Sequence, residues 1–126
     1  MQELQITEKV VLINVGQLYR NDMTPSELYD ATRGIWIVTP ETHKAVFAFC
    51  VHQGIVREVY SIARWRRAND PPFRRPDILE NDPRLKDGWV FEGEVAPEPI
   101  RTEYRGTSVR GHFTPASQNP IRYVNC

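Results

Sequence analysis

Short β-branched and aromatic runs, separated by breaks marked with glycine, proline or small polar residues, set the pattern of this chain and predict strands before anything else. Val10-Val11-Leu12-Ile13-Asn14-Val15 is apolar, β-branched and of strand length. Thr24-Pro25-Ser26-Glu27 then predicts a helix start. The Thr24 hydroxyl can cap, Pro25 suits the first helical position, and Glu27 closes a capping box. Leu28, Tyr29 and Thr32 fall on one face of this short helix, and Gly34 marks its end. Ile35-Trp36-Ile37-Val38 follows as a strand ended by Pro40. Residues 45–51 and 55–62 read as consecutive strands turning at His52-Gln53-Gly54, an antiparallel hairpin. In the second strand Arg57, Val59 and Ser61 do not separate from Glu58, Tyr60 and Ile62 into two clean faces. A barrel strand partly covered on both sides would behave this way.

Residues 64–87 hold four prolines, many charges and little periodicity, which predicts a long loop. Residues 89–95 return to a strand pattern. Residues 98–105 predict a short helix closed by Gly106, with Ile100 and Tyr104 stacked four residues apart. Residues 120–126 give a final strand. No βαβ alternation points to a parallel sheet. The expected fold is a single α+β domain over 1–126: a small, strongly curved, mostly antiparallel β-barrel with short helices at its ends.

Composition narrows the class. At 126 residues a single core is the default, and 40% apolar with 25% charged residues excludes wholesale disorder. No apolar run approaches the roughly 18 residues that span a bilayer, so no membrane partner is expected. Residues 1–5 lack the basic start and apolar stretch of a signal peptide, which gives a cytoplasmic expectation. Cys50 and Cys126 are then expected to be free thiols.

Charge changes the picture more. The chain is neutral, with 16 Lys+Arg against 16 Asp+Glu. Yet the stretch 64–75 sets Arg64, Arg66, Arg67, Arg74 and Arg75 against Asp70, with Trp65 and Phe73 among them. The stretch 77–98 reverses the sign, with seven acids against Arg84 and Lys86. The two blocks either pair with each other or form a basic face for a polyanion beside an acidic one. Guanidinium forks suit phosphate, and an aromatic ring can stack on a base, so the expected partner is RNA or DNA. A protein partner docking on the 64–87 loop is the alternative.

Other residues add candidates. Arg33 and Trp36 flank the end of the first helix, where core packing explains Trp36 as well as base stacking does. Ser108 and His112, followed by Gln118 and Asn119, offer hydroxyl, imidazole and amide groups able to read a base edge. Gln118 and Asn119 would equally satisfy loop backbone before the last strand. Metal-ligand spacing, nucleophile-elbow context and phosphate-binding glycine loops are all missing from the sequence, so neither metal nor cofactor is expected. An enzyme acting on a nucleotide would have to pair His112 with a carboxylate.

Three blocks carry a family resemblance: Leu28 to Trp36, Val56 to Tyr60, and Gly106 to Val109 leading into Gln118 to Asn125. With the size and strand order, they make the chain resemble the PUA-like superfamily, which includes EVE, ASCH and YTH-type domains. The resemblance implies a small β-barrel that binds nucleic acid, with a modified base as one form of ligand. The Gly-Asp pair usual in EVE-like domains is missing here, so no pocket residue is carried over from them.

Overall fold

The apolar run near the start of the chain forms β1 (Val10–Asn14), and both of its faces are covered: Val10, Val11, Leu12 and Ile13 have no solvent exposure. This is a computed structural model describing residues 5–34, 36, 38, 44–67, 88–113 and 120–126. A 3-10 turn at Gly16–Leu18 leads into α1 (Pro25–Arg33). The expected capping box is present, with Thr24 Oγ1 accepting from Glu27 N and Glu27 Oε1 accepting from Thr24 N. The strands β2 (Phe47–His52) and β3 (Ile55–Arg67) follow as the expected antiparallel hairpin. Its turn places Gln53 and Gly54 at φ 53° and 76°, the two left-handed residues that tight hairpins favour. Then come β4 (Trp89–Val95), α2 (Ile100–Tyr104), a second 3-10 turn (Arg110–His112) and β5 (Ile121–Val124).

The five strands form one sheet in the order β4-β3-β2-β1-β5, and the domain is mixed α+β. Three of its pairings are antiparallel. The β1–β2 pair is parallel, with α1 in the crossover, which corrects the expectation that no βαβ unit exists. The missed signal is short: one nine-residue helix between two strands does not make a repeating alternation. The sheet is open among the described residues, with β4 and β5 at its edges.

Alternate residues feed two cores. Val10, Leu12, Phe49, Val51, Val56 and Val59 pack with Tyr104 of α2. On the other side Val11, Ile13, Ala48, Cys50, Tyr60 and Phe91 pack with Leu28 and Tyr29 of α1. A sheet covered on both faces explains the uninterrupted apolar run of β1.

Strand β3 carries two bulges. Cys50 pairs with Glu58 and Val51 with Val56, leaving Arg57 as an extra residue. Ile62 pairs with Gly93 and Arg64 with Glu92, leaving Ala63 extra. Each bulge reverses which residues face which core, so Val56 and Val59 share one core while Ile62 and Trp65 share the other. The blurred alternation in 56–62 has this cause.

Cys50 is fully buried, and burial pushes its thiol from 9.0 to about 11. Cys126 is exposed. Near pH 8, thiol titration of the native protein should therefore count Cys126 alone, with Cys50 appearing only on unfolding. Equal reaction of both thiols in the folded state would contradict the packing of β2.

Candidate nucleic-acid interface

The arginines at 64, 66 and 67 lie on a strand. Sequence pattern places the loop from residue 64, but β3 runs on to Arg67 because residues 60–67 find partners in β4. Backbone pairing with β4 places these arginines on a strand instead of on a loop. The side chain of Arg64 is 59% exposed, and its Nε and Nη2 donate to Glu92 at 2.8 and 3.3 Å. Arg66 also donates to Glu92 through Nε. The bond from Arg64, reinforced by Arg66, holds the Glu92 carboxyl below the ordinary range. Arg67 lies over the Trp89 ring at 4.2 Å. The basic and acidic blocks therefore do pair, through Glu92 among the described residues.

Arg33 is the last residue of α1. Its Nε donates to the Phe91 carbonyl at 3.1 Å, and its guanidinium lies 4.9 Å from the Tyr29 ring centre. A concavity of about 380 Å³ opens at the Ala63 bulge, lined by Tyr29, Arg33, Ser61, Glu92 and Glu94 among others. The two candidate tryptophans are half-buried and packed against the core. Trp36 bridges Trp89 through two backbone bonds and donates Nε1 to Thr32 O at 2.7 Å, while Trp65 meets Phe91 edge-on. Their packing gives both residues a structural task.

Ser108 and His112 are placed elsewhere. Ser108 forms an isolated bridge with Ile55 at the far end of β3, and His112 sits in the second 3-10 turn. Among the described residues no carboxylate lies within hydrogen-bond or ion-pair distance of His112, and no cluster of three metal-ligating side chains occurs. Arg74, Arg75, Gln118 and Asn119 lie outside the described residues.

A second concavity, this one basic, was not legible in the sequence. It measures about 520 Å³ between α2 and β3, with Tyr19, Arg57, Glu98, Arg101, Thr102 and Arg105 in its lining. Arg101 donates to both oxygens of Glu58 at 2.9 and 3.0 Å, and Glu58 is only 7% exposed. Arg105 Nε donates to the Arg57 carbonyl at 3.2 Å. The signals available were the parity break at Arg57 and the four-residue spacing of Arg101 and Arg105 on a predicted helix. Both look like ordinary surface charge until α2 is docked.

Among the described residues no helix is long and apolar enough to cross a membrane. No protein-family model, curated protein or solved structure matches the chain.

Proposed function

We propose that this domain is a non-catalytic module that binds single-stranded nucleic acid along β3, with a PUA-like barrel as its architecture. The observation that carries the reading is the basic end of β3, held by β4: Arg64 and Arg66 share Glu92 on one face of the strand, and Arg67 lies over Trp89 on the other. Alternate residues on a strand stand about 7 Å apart, so Arg64 and Arg66 present charge at a regular interval along one direction. Guanidinium groups held in place lose little freedom on binding, and they match phosphate in geometry. The partly buried rings of Trp65 and Trp89 lie on the face that Arg67 shares and offer an edge for a base. For the architecture, support comes from the mostly antiparallel order, the bulges that bend β3, and short helices on both faces. The ligand is RNA or DNA, and a modified base is one form it could take.

Glu92 competes with the ligand for Arg64 and Arg66. Fluorescence anisotropy with labelled single-stranded RNA and DNA at low salt tests the proposal. The R64Q/R66Q/R67Q variant should lose about tenfold or more in affinity, since each lost phosphate contact also forfeits a released counterion. E92Q should bind more tightly than wild type. Undetectable binding by the wild type, or weaker binding by E92Q, would overturn it.

A further inference from the structure

We propose that the cavity between α2 and β3 is a second, separate binding site for a phosphomonoester carried on a planar base. A nucleoside monophosphate and the phosphorylated end of a strand both present that chemistry. The site shares no residue with the row at Arg64–Arg67.

Its origin lies in the sheet. One edge of β3 is covered by β4 as far as Tyr60–Val95, and Ala96 N still donates to Val59 O. Residues 106–109 cover the same strand again at Gly54–Val56, where Gly106 N and Val56 N bond to Val56 O and Thr107 O. Between these two stretches the chain leaves the sheet to form α2. The bulged residue Arg57 therefore faces a cavity, and bulges commonly redirect a side chain in this way.

Three guanidinium groups, from Arg57, Arg101 and Arg105, line the space against one carboxylate, Glu98. The carboxylates nearby are already engaged. Both oxygens of Glu58 accept from Arg101, and Glu58 Oε1 also accepts from Val59 N. Glu98 Oε2 accepts from Thr102 N at 3.0 Å and from the Thr102 hydroxyl. One donor stays available: Arg57 Nε is buried with no hydrogen-bond partner among the described residues. Leaving a buried cationic donor unpaired is unfavourable, and an anion in the cavity would satisfy it. A phosphomonoester, at nearly two negative charges near neutral pH, suits three guanidiniums better than a carboxylate does.

One wall of the cavity is aromatic. The Arg57 guanidinium lies 5.3 Å from the Tyr19 ring centre, and Tyr19 stacks on His52 at 4.4 Å. Bases stack on such rings and on guanidinium planes. A volume of about 520 Å³ is also within the usual range for small-molecule sites.

Titration calorimetry with AMP, adenosine, inorganic phosphate, and 5′-phosphorylated and 5′-hydroxyl tetranucleotides tests the site. AMP should bind about tenfold tighter than adenosine or phosphate alone, because it engages both halves of the cavity. R105Q, which alters an exposed side chain, should weaken AMP about fivefold. T102E, at the exposed rim, should do the same by repulsion, so the test survives a failure of either variant to fold. Y19L should weaken AMP without changing phosphate. A preference for the phosphorylated tetranucleotide over AMP names a strand end as the source, and the reverse order names a free nucleotide. Equal affinity for AMP and adenosine, or AMP binding unaffected in folded R105Q and T102E, would overturn the proposal.

Discussion

Gly93→Ala should destabilise the protein by about 3 kcal/mol or more, a large effect for the addition of one methyl group. A Cβ at this position would overlap the Ser61 carbonyl oxygen and lie 3.0 Å from its carbonyl carbon. Both are backbone atoms of the neighbouring strand, so no side-chain rotation relieves the clash. Gly93 pairs with Ile62 next to the Ala63 bulge, and its N–H donates to Tyr29 Oη at 2.9 Å. Pushing β4 away would strain the tie between α1 and the sheet as well. Gly16→Ala is the informative partner. Gly16 adopts φ 58°, but a methyl group added there would meet nothing within 4 Å, so only the backbone penalty of about 1 kcal/mol applies. Urea unfolding of the two variants separates the mechanisms. A midpoint for Gly93→Ala as high as that for Gly16→Ala would show that β3 and β4 pack less tightly than their register requires.

Phe49→Ala should cost about 3–5 kcal/mol. Phe49 sits on β2 in the middle of the sheet, between Leu12 on β1 and Val59 on β3, and has no exposed surface. Its ring lies 4.9 Å from that of Tyr104, the buried anchor of α2. The cavity left by alanine would be lined from both strands and helix, and inner strands collapse poorly around such a gap. The effect should spread to function selectively. With α2 less firmly seated, Arg101 and Arg105 lose their position, and nucleotide binding at the α2–β3 cavity should weaken. Oligonucleotide binding through Arg64–Arg67 should persist in the folded fraction, because β4 holds that row. Loss of less than about 1 kcal/mol in chemical denaturation would contradict the central place of Phe49 in the core.

The local elements of this fold are written plainly in the chain. Thr24, Pro25 and Glu27 specify the start of α1 through short-range chemistry, and Gln53-Gly54 specifies a hairpin turn the same way. Ile100 and Tyr104 mark the face by which α2 docks. What the sequence conceals is set at longer range. Parallel pairing of β1 and β2 depends on a crossover whose single helix resembles any connection. The extension of β3 to Arg67 depends on β4, which lies more than twenty residues away along the chain. Periodicity does register the bulge at Arg57 as a failure of alternation, although partial cover in a barrel explains such a failure equally well. The candidate sites divide on the same line. Arg33, Arg64, Arg66 and Arg67 are legible as charge, but the acid shared by Arg64 and Arg66, Glu92, emerges only from strand register. Tyr19, Arg57, Arg101 and Arg105 come from separate parts of the chain, and nothing short of tertiary structure gathers them.

The direct measurement of the central claim is the salt dependence of single-strand binding in wild type and in R64Q/R66Q/R67Q. If the three arginines on β3 contact phosphates, the slope of log affinity against log salt should be shallower in the variant by about 2, since each single-strand contact contributes roughly 0.7. Equal slopes in the two proteins, with the variant still folded, would show that the nucleic acid does not lie along β3.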